Sequence, residues 1–183
     1  MMNEFTWVFV IALLLMTGVE IWLSLRQKRQ VLAKRDQVPP AFSEQISLEA
    51  HQKWADYSVA KGKFKRTEAL YGAVILLAWT LGGGLAWLSG AWQSLGLSAT
   101  VTGILFVLSC LVIGSLLELP TSWFKTFVME DKFGFNRSTP GVFFGDFAKQ
   151  MLLMLVMGAL IIWATLWLMT STGEFWWLYL WAA

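Results

Sequence analysis

A chain of 183 residues is enough for about one domain, but 57% hydrophobic and 14% charged residues depart from the roughly 45–50% and about 25% of soluble domains. Mean hydropathy of +0.58 and twelve Trp point to an integral membrane protein, with the lipid bilayer as its first partner. A net charge of +2 gives no support to a nucleic-acid partner, the single Cys110 rules out a disulfide framework, and the single His51 cannot by itself supply a zinc site.

In chain order, 5–25 is apolar apart from Thr6, Thr17, Glu20 and Ser24, and about 20 such residues cross the hydrocarbon core as a helix. The leading MMNE carries no Lys or Arg and no small-residue cleavage site follows, so this is a span rather than a signal peptide. Glu20 lies near its end, where it either reaches the interface or makes a polar contact inside the bundle. The next stretch, 26–68, holds ten of the fourteen cations and nets +5. Val38-Pro39-Pro40 breaks any helix continuing from the first span. Ser47 then N-caps a helix over 48–60, with Glu49 in its first turn. His51 sits on that helix with no second ligand at i+3 or i+4, which makes it a surface or packing residue.

A second span covers 70–88 without a charge and carries Gly82-Gly83-Gly84, small residues that let helices approach closely in lipid. An uncharged connection over 89–100 leads to a third span, 101–119, ending at Glu118 before Pro120. A fourth span covers 151–169, and the apolar 175–183 begins a fifth that stops partway. The fold expected is all-α: four transmembrane helices, a truncated fifth and cytoplasmic helical connections. The cations place 26–69 and 120–150 in the cytoplasm and the amino terminus outside. The compact loops suggest a bacterial inner membrane.

The stretch 119–150 is unlike a solvated loop. Eight of its 32 residues are aromatic, interleaved with Lys125, Glu130, Asp131, Lys132, Asn136, Arg137, Asp146 and Lys149. Left in water, those rings would form an apolar patch that soluble surfaces avoid. From Pro120 a helix can continue with Trp123, Phe124, Phe127 and Val128 as a stripe, Gly134 is a natural stop, and Thr139-Pro140 restarts a helix as N-cap and first residue.

Within this stretch, Thr126 to Pro140 reads TFVMEDKFGFNRSTP, and it resembles the membrane domain of the type I CAAX prenyl protease family of zinc metalloendopeptidases. The pattern there is two acids, a basic residue, Phe-Gly-Phe-Asn, then a basic residue and Thr. Arg35-Asp36-Gln37-Val38-Pro39, together with 46–53, Asp56-Tyr57 and Lys61, is similar to the same family at the corresponding place. The two matches, in order and each beside the right span, extend the resemblance over essentially the whole chain. The family cleaves with an H-E-x-x-H helix, in which two histidines hold zinc and the Glu activates water. This sequence has no such motif, so no catalytic or metal-binding residue is carried over, and zinc is implied only for the complete family enzyme.

What the resemblance implies is an amino-terminal module, inactive alone, that forms the wall of an intramembrane chamber admitting a substrate tail. Its partners would be a carboxy-terminal catalytic domain beyond this chain and a prenylated or membrane-protein peptide. The candidate structural or chamber residues are Glu130, Phe133, Gly134, Phe135, Asn136 and Arg137. Glu130 and Asn136 would be buried polar ties, Gly134 the turn and the two Phe its anchors. The turn either braces the catalytic domain and borders substrate access or merely packs helices together. A different reading is a stand-alone, non-catalytic membrane protein that binds a partner or lipidated peptide. A small transporter is weaker, since the spans carry few ionisable groups and no inverted repeat.

Overall fold

The computed structural model describes residues 3–182, and side chains are described there except at 179, 180 and 182. Among the described residues every regular element is helical. Six α-helices follow in order: α1 (Glu4–Ala33), α2 (Leu48–Thr80), α3 (Gly84–Gln93), α4 (Ala99–Phe124), α5 (Pro140–Ser171) and α6 (Trp176–Ala182). Short 3₁₀ turns occupy Pro40–Phe42 and Gly173–Phe175, and one π-helical turn, Lys125–Glu130, continues α4. Three helices are long and apolar enough to cross a membrane: α1, α4 with its π turn, and α5. A fourth arises if α2 and α3 count as one broken span. The apolar start expected at 175–183 is occupied by α6, and Ala183 lies outside the described residues.

Side chains explain the helix starts. Asn3 Oδ1 accepts from the Thr6 amide at 2.9 Å and opens α1. Ser47 Oγ accepts from the Ala50 amide at 3.2 Å and opens α2, and Thr139 Oγ1 accepts from the Val142 amide at 3.3 Å with Pro140 as the first residue of α5. Each satisfies one of the amides that a helix start leaves without an internal partner. Residues such as Trp7, Leu14, Leu153 and Ile161 are more than half exposed. In water such continuous apolar surface is not tolerated; in a bilayer it is the face that lipid covers.

The chain forms two compact units. The first comprises the residues up to Gly82 together with Trp123–Asn136. Here α1 and α2 run antiparallel, because Ser24 meets Gly62 whereas Arg35, just past the end of α1, meets Asp56, earlier along α2. Both helices extend well past the apolar core: α2, at 33 residues, is about 50 Å long against about 30 Å of hydrocarbon. The helix expected over 48–60 and the span expected from 70 are therefore one rod. No residue between them breaks it: Lys61, Lys63, Lys65 and Arg66 are good helix formers, and the polarity changes without a change of backbone.

Two further departures have local causes. The helix from the first span ends at Ala33, before Val38-Pro39-Pro40, because Lys34 to Asp36 turn aside to meet α2. The span expected to run unbroken over 70–88 stops at Thr80. A Cβ on Gly82 would lie 2.6 Å from the Ala78 carbonyl oxygen, and Gly83 has φ 77. The glycines here interrupt the helix instead of lining a helix–helix seam.

The second unit comprises Gly83–Ser122 and Arg137 onward. Trp92 Nε1 donates to Ser109 Oγ at 3.0 Å, tying α3 to α4. α4 and α5 are antiparallel and meet through side chains that reach over glycines. A Cβ on Gly103 would lie 3.2 Å from Leu166 Cδ1, one on Gly158 would lie 3.2 Å from Leu108 Cδ2, and Ser115 Oγ is 3.8 Å from Met154 Sδ. The small residues make room there for the facing leucines.

Candidate functional site

The Phe-Gly-Phe stretch folds as a helix stop. Pro120 sits inside α4, where it has no amide to donate to the preceding turn, and the helix widens into the π turn five residues later. Gly134 then adopts φ 72. The Phe135 amide donates to the Glu130 carbonyl at 2.9 Å and the Gly134 amide to the Asp131 carbonyl at 2.9 Å. Those two bonds satisfy the last carbonyls of the helix, in the pattern that a left-handed glycine makes possible.

This stop aims two rings at α2. Phe135 lies against Trp54 (ring centroids 4.9 Å apart, planes at 25°) and edge-on to Tyr57 at 4.8 Å, while Phe133 meets Tyr57 at 5.4 Å. Lys53 Nζ stands 5.2 Å above the Phe135 ring and Lys132 Nζ 6.0 Å from the Phe133 ring. Along the same pair of elements Phe64 stacks on Phe124 at 5.8 Å, and Met129 of the π turn is buried. Aromatic pairs of this kind contribute about 0.5–1.5 kcal/mol each beyond burial, so four of them fix the turn firmly to α2.

Polar links hold the other side of α2. Arg35 donates from Nε to Asp56 Oδ1 at 2.8 Å and from Nη2 to Oδ2 at 2.9 Å, and also reaches Asp36 at 3.1 Å. Gln52 Nε2 donates to Asp36 Oδ1 at 2.8 Å, and His51 Nε2 lies 2.9 Å from the Lys34 carbonyl oxygen. The Arg35 hydrogen bond holds the Asp56 carboxyl below the usual carboxylate range, and Asp56 in turn raises Arg35 above its ordinary value. His51 is therefore a packing residue that ties the linker down.

Of the residues singled out from sequence, Phe133, Gly134 and Phe135 form the turn described, and Glu130 enters it through its backbone carbonyl. Glu130 and Asn136 are half-buried. Arg137 is exposed and opens the second unit. Sequence reasoning did not single out Trp54, and it quoted Arg35, Lys53 and Asp56 only as carriers of the resemblance, with no role or partner for any of them. One signal was available: Trp54 and Tyr57, three apart on an otherwise polar helix, mark a ring-bearing face that needs cover. Among the described residues no group of three or more His, Cys, Asp or Glu side chains could hold a metal ion. The described residues therefore offer no ligand set that fits a zinc ion.

Comparison with known proteins gives one answer. The family described as CAAX prenyl protease N-terminal, five membrane helices, matches residues 27–183. The chain is 28% identical over 163 residues to the CAAX prenyl protease 1 homolog of Caenorhabditis elegans, covering 88% of this chain and 36% of that protein. It is 29% identical over 182 residues to the homolog of Oryza sativa subsp. japonica, covering 92% and 41%. The crystal structure of S. mikatae Ste24p has the same fold, with a TM-score of 0.85 over 96% of this chain and 42% of that one at 23% identity. The chain thus spans about two fifths of the length of these relatives.

Proposed function

The chain belongs to the family of CAAX prenyl protease N-terminal domains, and from that membership we propose that it is the membrane module of a zinc metalloendopeptidase, forming the wall of an intramembrane chamber that admits the substrate tail. The substrate class is a prenylated or other membrane-protein peptide. The module is not catalytic by itself: bond cleavage belongs to an H-E-x-x-H segment that these 183 residues do not contain. Zinc would supply there the Lewis acidity that activates water.

The observation that carries this reading is the ring-locked turn. Phe133 and Phe135 seated on Trp54 and Tyr57 make a rigid, charged-rimmed platform out of two segments far apart in sequence. A platform of that kind suits bracing a neighbouring domain beside a membrane chamber. Its position also supports one topology. The polar half of α2 and the turn lie against each other, which favours one side of the membrane for both, and the ten cations of 26–68 favour the cytoplasm as that side.

The test is to read the genomic frame beyond the codon for Ala183 and to weigh the native protein extracted from membranes. A frame running into H-E-x-x-H, with a native mass well above 20.7 kDa, supports the reading. A stop codon there with a native mass of 20.7 kDa overturns it in favour of a binding protein that lacks a protease.

A further inference from the structure

Where α1 passes from its apolar to its basic part, it runs beside the part of α2 that passes from basic to apolar. Between them lies a groove of about 560 Å³, within the roughly 300–1,000 Å³ of small-molecule sites. Leu15, Val19 and Leu23, with Glu20 among them, line it along the apolar part of α1, and Ser24, Lys65 and Arg66 line it where the two helices turn polar. The groove therefore has the polarity profile of the membrane boundary itself.

The polar end is built. Arg66 Nη1 donates to Ser24 Oγ at 2.9 Å, and the Ser24 hydroxyl donates onward to the Gly62 carbonyl at 3.1 Å. Gly62 allows this approach, since a Cβ there would lie 3.3 Å from Ser24 Oγ and 3.9 Å from Arg66 Nη1. A long, mobile side chain is thereby held across the helix pair with most of its five N–H donors uncommitted. Among the described residues neither Arg66 nor Lys65 has a carboxylate within ion-pair distance. Glu20 also lines the groove, yet two cations against one carboxylate leave it net positive.

We propose that this groove binds an anionic phospholipid, with acyl chain along Leu15, Val19 and Leu23 and phosphate on Lys65 and Arg66. These side chains are open to an occupant, for Leu15 is 64% and Val19 52% exposed. An occupant that is apolar at one end and anionic at the other matches both ends at once. The site is independent of the chamber reading.

The test is native mass spectrometry of the full chain released from mild detergent with equimolar dioleoyl phosphatidylglycerol and dioleoyl phosphatidylcholine. The wild type should retain phosphatidylglycerol preferentially. K65Q, at an exposed position that leaves the Ser24–Arg66 link intact, should weaken that retention about fivefold, and K65Q/R66Q roughly 25-fold, with phosphatidylcholine unchanged. L15W, filling the apolar end, should lower both lipids, and K28Q/R29Q, removing equal charge outside the groove, should leave the preference as it was. Equal retention of the two lipids by the wild type overturns the proposal. So does the same loss in K28Q/R29Q, which means diffuse attraction, or headgroup-blind retention displaced by an S-farnesylated peptide, which means a peptide site.

Discussion

Arg35 and Asp56 meet prong to prong, Nε on Oδ1 at 2.8 Å and Nη2 on Oδ2 at 2.9 Å, across 21 residues of sequence. The geometry is the strong, two-bond form of an ion pair, although a side-chain exposure of 46% at Asp56 keeps its net contribution modest. Because the Arg35 hydrogen bond lowers the Asp56 pKa on folding, the pair stabilises the fold above the ordinary carboxylate value of 3.8. That stabilisation is lost as pH falls through the lower, folded value. Thermal unfolding in detergent should therefore separate the wild type from D56N at neutral pH, and the gap should close in acid. Parallel curves for the two proteins down through the carboxylate range would refute the assignment.

Gly134 carries the turn at φ 72. Gly134→Ala should lower stability by about 1–2 kcal/mol, the left-handed penalty of an L-residue, and Gly134→Asn by less. Denaturant unfolding of the three proteins checks the order. Equal stability would mean that the stop is held by its rings alone.

Trp54 and Phe135 should be coupled. A double-mutant cycle with W54A and F135A is expected to give an interaction of about 0.5–1.5 kcal/mol. In a complete family protease, either change, and N136A beside them, should reduce cleavage of a farnesylated peptide or the yield of folded protein. Unaltered cleavage and yield in all three would remove the bracing role.

Much of this architecture was legible because local signals act locally. Ser47, Thr139-Pro140 and Gly134 mark helix ends through bonds to residues three to five away, and the structure has each of them in that role. Apolar length identified the membrane helices in the same way. What was hidden depended on partners. The Arg35–Asp56 pair looked like two charges in a run with net charge +5, and nothing in the sequence told which anion meets which cation. Gly82 and Gly83 were ambiguous, because glycine serves both a close helix seam and a break, and only the Ala78 carbonyl 2.6 Å from a Cβ on Gly82 decides. The continuity of α2 was obscured by polarity, which changes along the helix while the backbone does not. Trp54 was missed because its ring stack lies some 80 residues away in sequence.

Two glycines of the second unit should answer oppositely to substitution. A side chain at Gly158 meets Leu108 at 3.2 Å, so Gly158→Leu should cost about 1–3 kcal/mol through overpacking. A Cβ on Gly114 finds nothing within 4 Å, so Gly114→Ala should be neutral or stabilise by about 0.4–1 kcal/mol. Melting temperatures in detergent give the signs directly. The reverse order would mean that α4 and α5 pack through other faces.

α2 is also a mechanical object. Trp54 and Thr80 stand on one unbroken helix about 39 Å apart, and no glycine pair or proline softens the rod between them. A displacement at the ring cluster would carry the Thr80 end with it as tilt or rotation of the whole shaft. Stiffness in α2 therefore couples the two ends of the helix geometrically, whatever covers them.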